Sequence, residues 1–303
     1  MKNFLIHVMA VVIVAIWGAT FISSKILLAA GLTPALLFSL RFIIAYAGIW
    51  LMCLIRKDLQ VWKGLSDELI YLVLGLTGGS LYFLTENTAL EYTQACNCSF
   101  LVCSTPLVTL ILTLIVKGFF KGGLVDGLED VKMTWNLILG TLLAVGGMAV
   151  VVFNGMQLKL SPKGDLLAIA ASLCWGVYSL FMGQMSEKNG AVFSTRKVFF
   201  YGLLTIIPVL LIQGQGIDWT MFADVTNLLN LLFLGVVASL GCFFLWNVVM
   251  VRLGNVSSTN YIYLNPVFTF IAAALILGER MTLLSTIGSL SILAGVILAG
   301  RRG

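Results

Sequence analysis

The recurrence of apolar stretches long enough to cross a bilayer constrains this chain more than any other feature. A crossing helix needs about 20 consecutive apolar residues. A window of that size finds ten, at 4–24, 35–55, 69–90, 94–116, 133–153, 165–185, 197–213, 227–250, 257–277 and 282–300. The connections are short. The longest, "KGFFKGGLVDGLEDVK", is charged and glycine-rich and reads as a solvated loop. The expected fold is an all-α membrane protein with ten transmembrane helices. The first stretch runs on through "WGATFISSK" with no A-x-A cleavage site, so it is expected to stay as the first span.

Composition agrees. Of 303 residues 60% are hydrophobic and 10% charged, where soluble domains hold about 25% charged residues. The net charge of +5 comes from basic residues scattered singly between apolar spans, which excludes a phosphate-binding stripe and a nucleic-acid partner. Lysines and arginines instead give a topology signal. With the N-terminus inside, the inner side holds Lys2, Arg56, Lys57, Lys63, Lys117, Lys121, Lys132, Lys188, Arg252, Arg301 and Arg302. The outer side holds Lys25, Lys159, Lys163 and Arg280; Arg41, Arg196 and Lys197 lie near span ends and are left out. Both termini are therefore expected in the cytoplasm. The six cysteines fall in or beside apolar spans, and Cys96, Cys98 and Cys103 have no histidine or acid to complete a ligand set. They read as small apolar filler, with no metal and no cofactor.

One phrase occurs twice: "FSLRFI" from Phe38 and "FSTRKV" from Phe193. Other pairs follow it. Trp17-Gly18 matches Trp175-Gly176, and Gly140 and Gly147 match Gly288 and Gly295. Leu74-Gly75, Asn87 and Pro106 match Leu234-Gly235, Asn247 and Pro266 at one offset. Residues 1–157 and 158–303 thus read as the same five-helix unit twice. Five crossings is odd, so the second copy enters from the opposite side, as an inverted-topology repeat. Such symmetry supplies two related conformations for alternating access.

Chemistry is sparse. There is no P-loop, so no nucleotide hydrolysis of that kind. An aspartic intramembrane protease needs two buried aspartates, yet all seven (58, 67, 126, 130, 165, 218 and 224) fall in loops or at span ends. The lone histidine, His7, leaves serine chemistry without a base, and an enzyme is not expected. Glu86 is the one acid well inside a span, where an ionisable group marks a functional site by default. Two readings stand for it: proton coupling or recognition of a substrate ammonium, and structural pairing with Arg41 or Lys25. Lys25 and Arg41 can themselves snorkel to the outer interface. Aromatic and amide groups gather near the midplane in both halves: Trp17, Tyr82, Asn87, Trp175, Tyr178, Trp246, Asn247 and Tyr261, with Tyr263 and Asn265 nearby. Buried phenols and amides want partners, so these are expected to line a polar cavity. Pro106 and Pro266 each remove a backbone donor within a span and are candidate hinges, a static kink being the alternative. Gly140 with Ala144, and Ser291 with Gly295, have the spacing that lets helices approach closely, within the chain or across a homodimer.

At these residues the chain resembles the drug/metabolite transporter superfamily, in its EamA-type ten-helix members. The likeness rests on "IWGATFISSK", "LRFIIAYAG", "TALEYTQACNCSFLVCSTPLVTLIL" and "NPVFTFIAAALILGERMTLLSTIGSLSILAGVIL", and covers essentially the whole chain. Pro266, Gly278-Glu279-Arg280 and the glycine-rich last span follow the pattern, whereas the first half has "KGFFKGGLVDGLED" where a Gly-Glu element would stand. The resemblance implies an inner-membrane carrier of small organic metabolites, often an exporter of amino acids or toxic amines. It also implies a cavity between the halves, lined by spans 1, 3, 4, 6, 8 and 9. The expected partners are a small-molecule substrate and the lipid bilayer, with proton coupling through Glu86. An importer or exchanger of nucleosides or sugars, and a membrane sensor without flux, are the alternatives.

Overall fold

The computed structural model describes residues 2–122, 125, 127–128, 134–153, 161–277 and 283–299. Among them there are helices, turns and no strand. Backbone groups in hydrocarbon have no water to bond, so each crossing satisfies its own N–H and C=O groups. In chain order the helices are α1 (Lys2–Ala29), α2 (Pro34–Arg56), α3 (Leu65–Tyr92), α4 (Ala95–Val102), α5 (Thr105–Phe119) and α6 (Trp135–Phe153). They continue as α7 (Pro162–Asn189), α8 (Ala191–Gln213), α9 (Val225–Leu253), α10 (Asn255–Thr259), α11 (Asn265–Leu277) and α12 (Leu283–Ala299). Among the described residues seven stretches are long and apolar enough to cross a membrane: α1, α2, α3, Cys98–Phe119 across α4 and α5, α7, α8 and α9. Their outward faces carry leucine, isoleucine and valine, as a lipid-facing surface does.

Starts and stops are local. Thr33 and Ser161 accept hydrogen bonds from the backbone N–H groups of Leu36 and Gly164, with Pro34 and Pro162 in the first turns. Lys57 closes α2 in the left-handed conformation (φ 57°).

Three predicted starts, at 69, 165 and 197, fall too late. The helices begin at Leu65, Pro162 and Ala191; Pro162 follows the Ser161 cap, and charged side chains near the starts of α3 and α8 are paired. Lys188 at the end of α7 meets Asp67 at 2.6 Å, and Lys197 in α8 donates to Glu68 at 2.8 Å. A hydropathy window stops at such residues; a packed protein does not. Gly278, Glu279 and Arg280 lie outside the described residues. So do Asp126, Asp130, Lys132, Lys159, Arg301 and Arg302, and the side chain of Cys96.

The two prolines correct the picture of continuous spans. The stretch holding Pro106 is broken at Cys103–Ser104, and Pro106 stands in the first turn of α5. The equivalent stretch passes from α10 through a 3₁₀ segment, Asn260–Leu264, before α11 restarts with Pro266 at its second residue. Each proline begins a helix, where its missing N–H costs little. Two further irregularities were not read from the sequence: α3 is π-helical over Leu76–Leu81 and α9 over Phe233–Gly241.

Packing between the halves is reciprocal. α1 packs on α11 and α7 on α5; α2 packs on the π-helical part of α9 and α8 on that of α3. Glycines set these approaches. Gly18 abuts Phe268 and Thr269, Gly176 abuts Val108, Gly75 and Gly79 abut Gly202, and Gly235 abuts Ile44. The small-residue faces of α6 and α12 meet each other within the chain.

Candidate functional site

Where α1, α2, α3, α7 and α9 converge with the breaks around α4–α5 and before α11, a cavity of about 30 Å³ opens. Its walls include Trp17, Thr20 and Phe21 of α1, Arg41 of α2, and Tyr82, Phe83 and Glu86 of α3. Val102, Thr105, Trp175, Phe243, Ile262 and Asn265 complete it. A volume of that size holds about two waters.

The walls come in equivalent pairs. Phe83 and Phe243, Val102 and Ile262, and Thr105 and Asn265 are each 160 residues apart, the offset that relates Asn87 to Asn247. Trp17 and Trp175 are the tryptophans of the repeated Trp-Gly. Their rings meet edge to face, centroids 5.3 Å apart, and Phe243 lies 6.0 Å from Trp17 and 5.4 Å from Trp175. The charges break this symmetry. Arg41 and Glu86 both come from the first half, and the position equivalent to Glu86 is Trp246.

Glu86 and Arg41 are 5% and 1% exposed. The Tyr82 hydroxyl donates to Glu86 Oε1 at 2.9 Å. Arg41 Nε donates to Ser239 Oγ at 2.9 Å, and its guanidinium lies over the Phe83 ring, 4.3 Å from the centroid. The two charges feel each other electrostatically, yet among the described residues no ion pair within 4.0 Å joins them. Two more polar atoms in the wall are buried without a hydrogen-bond partner among the described residues: the Trp175 indole N–H and Asn265 Oδ1. The cavity thus presents an acid, a guanidinium, a free donor and a free acceptor on an aromatic lining, the makings of a site for a small amphipathic solute.

Of the residues singled out from sequence, Trp17, Tyr82, Glu86, Arg41, Trp175 and Asn265 meet in this wall. Tyr178, Trp246 and Asn247 stand behind it. Trp246 packs on Trp17 at 5.0 Å, and Tyr178 packs on Trp175 at 4.9 Å. The Tyr178 hydroxyl donates to Asn247 Oδ1 at 2.8 Å, and Asn247 Nδ2 donates to Thr195 Oγ1 at 2.7 Å. That chain ties α7, α9 and α8 together with every member buried. Replacing Asn247 with leucine leaves the Tyr178 hydroxyl unpaired, and a loss of about 1–3 kcal/mol is expected. Thermal unfolding in detergent reads it, and an unchanged midpoint would show that the chain adds nothing.

Three residues stand elsewhere. Asn87 donates to the Pro34 carbonyl at 3.5 Å. Tyr261 bonds His7 through its hydroxyl. Lys25 is exposed and donates to the Thr93 carbonyl at 3.2 Å, away from Glu86. Pro106 and Pro266 each follow a cavity residue, Thr105 and Asn265, so the helix restarts position part of the wall. Sequence reasoning missed Thr20, Phe21, Phe83, Val102, Thr105, Phe243 and Ile262. The repeat offset, applied to every residue near the chosen aromatics, would have found three of the pairs.

The model of the EamA-like transporter family matches residues 4–121 and 162–301. A protein named as an uncharacterized transporter of Archaeoglobus fulgidus is 28% identical over 96% of this chain and 96% of its own length. A probable amino-acid metabolite efflux pump of Salmonella typhimurium is 25% identical over 96% of this chain and 93% of its own. A solved crystal structure superposes with a TM-score of 0.71 over 97% of this chain and 95% of that one, at 20% identity, a likeness of fold.

Proposed function

Since the chain belongs to the EamA-like transporter family, a family of multi-pass membrane transporters, we propose that it is a secondary carrier that exports small metabolites such as amino acids or organic amines. It works in the cytoplasmic membrane, with both termini in the cytoplasm. Residues 1–157 and 158–303 form two five-helix repeats of opposite orientation, and flux follows from rocking one against the other. The single observation that carries this reading is a central cavity walled by equivalent residues of both halves and charged by one of them.

The chemistry of the wall supports the cargo class. Arg41 suits a carboxylate and Glu86 an ammonium, and the aromatic remainder suits a side chain. A site with one acid and one guanidinium favours a solute that brings a charge of its own to each over a neutral sugar. The name of the Salmonella typhimurium relative supports the same class. At about 30 Å³ the cavity is too small for such a cargo, so loading requires the halves to part. The π-helical segments and the restarts at Pro106 and Pro266, all against the cavity or its supporting helices, are the places to bend. Glu86 also serves as the proton-coupling group.

Counterflow in proteoliposomes, with labelled amino acids, primary amines, nucleosides and sugars in turn, tests the cargo. Exchange confined to amino acids or amines is expected. Exchange confined to nucleosides or sugars would overturn the assignment. Topology has its own test. Reporter fusions before residue 1 and after residue 303 are both expected to be active in the cytoplasm, and one periplasmic terminus would exclude two opposed five-helix repeats.

A further inference from the structure

The repeated Phe-Ser-x-Arg ends in two different places. Arg41 faces the central cavity with Glu86. Arg196 lines a second pocket of about 140 Å³, formed by Tyr46 and Trp50 of α2, Val61 of the following connection, and Arg196, Lys197 and Phe200 of α8. Arg196 is 2% exposed and Lys197 8% exposed. Lys197 is neutralised by Glu68, but among the described residues Arg196 has no carboxylate within 4.0 Å. Its N–H groups donate to the Cys53 sulfur at 3.3 Å and the Asp58 carbonyl at 3.4 Å, and to the Gln60 carbonyl. Its guanidinium lies over Trp50 at 4.7 Å and Phe193 at 5.2 Å.

Every one of those partners is neutral. A buried guanidinium held by carbonyls and ring faces keeps an unopposed positive charge, and leaving a buried charge unpaired is costly. The pocket beside it has room for roughly ten waters, enough for a tetrahedral anion. It lies at the end of the bundle where Arg56, Lys57 and Lys63 are exposed together with Asp58, while Asp67 and Glu68 are taken up by Lys188 and Lys197. Tyr46 and Trp50 are half-buried and Phe200 is 40% exposed, an aromatic rim of the kind that sits at headgroup level.

We infer that this pocket binds a phosphate group, with Arg196 as its counter-ion, and that an anionic phospholipid headgroup at the cytoplasmic interface supplies it. Basic pockets between membrane helices hold acidic headgroups in this way, and guanidinium geometry matches phosphate oxygens. The phosphate bridges α2 and α8, which belong to opposite halves. The inference needs only a membrane protein with this pocket, so it stands or falls apart from the transport reading.

Native mass spectrometry of the purified full chain in detergent, with phosphatidylglycerol or phosphatidylcholine of the same acyl chains, tests it. Phosphatidylglycerol is expected to be retained and to raise the unfolding temperature, and phosphatidylcholine is not. Arg196→Gln is expected to lower retention about tenfold, the value of one charge-assisted hydrogen bond. Val61→Trp is expected to do the same by filling the pocket, without touching the bonds of Arg196, and it decides the matter if Arg196→Gln fails to fold. Inorganic phosphate in lipid-free detergent is the second arm. Protection by phosphate, lost in Val61→Trp, supports the site and makes soluble phosphate its source. Equal retention of both lipids with no protection by phosphate, or retention indifferent to both substitutions, would overturn it.

Discussion

Glu86→Gln is expected to abolish the dependence of transport on a pH gradient and to leave the protein folded. Glutamine keeps the shape of the side chain and an oxygen that can accept from the Tyr82 hydroxyl, now at 2.9 Å. It can neither carry a proton nor hold a negative charge opposite Arg41. If the carboxylate also receives a substrate ammonium, the lost charged hydrogen bond is worth about 1.5–3 kcal/mol, roughly a 10- to 150-fold rise in the Kd of the substrate. Two readouts separate the roles. Flux into proteoliposomes with and without an imposed gradient reports coupling, and substrate protection against thermal unfolding reports recognition. Gradient-dependent flux that survives the substitution removes the coupling role. The control is Lys25→Gln, which should change neither readout, because the exposed Lys25 donates to the Thr93 carbonyl and has no hydrogen bond or ion pair with Glu86 among the described residues.

The second large effect separates two neighbouring glycines. Gly147→Val is expected to destabilise the protein by about 1–3 kcal/mol or more, while Gly146→Val is expected to be nearly neutral. A Cβ on Gly147 would stand 2.6 Å from the Gly288 carbonyl oxygen and 2.8 Å from the Ile292 nitrogen. Those are backbone atoms of α12, which cannot rotate aside, so the helices must separate; overpacking of a close-packed interface costs about 1–3 kcal/mol or more. A Cβ on Gly146 meets nothing within 4 Å. Fluorescence-detected size exclusion after a heat ramp compares the two directly. Equal loss in both variants would mean that the contact between α6 and α12 does not hold the fold.

That contact also shows how legibility in this chain is divided. The spacing of Gly140 with Ala144, and of Ser291 with Gly295, announces close-packed helices, and small residues at such spacing have few other uses in a membrane. Whether the partner was another helix of the chain or a second subunit was left open, because spacing describes one face and not what covers it. Glu86 was legible for a related reason: a carboxylate amid apolar neighbours is conspicuous in one dimension. The Tyr178–Asn247–Thr195 chain was half legible, since two of its members stood out as buried polar groups and the threonine that completes it did not. The cavity's phenylalanines and Val102, Ile262 and Thr105 were invisible individually, being ordinary residues for a membrane helix.

From sequence alone came the apolar stretches, the family likeness, the internal duplication and the placing of an acid and an arginine within the bilayer. Hydropathy sums over a local window, and duplication repeats local words, so both survive without any knowledge of contacts. Only the folded chain decided that Asp67 and Glu68 continue a helix, that Lys25 stands apart from Glu86, and that π-helical turns interrupt α3 and α9. It also decided that the same four-residue phrase delivers one arginine to the central cavity and the other to a pocket at the rim. The reason is physical: the fate of a charge depends on what lies within a few ångströms, and the partners of Arg41, Arg196 and Lys197 come from segments more than a hundred residues away.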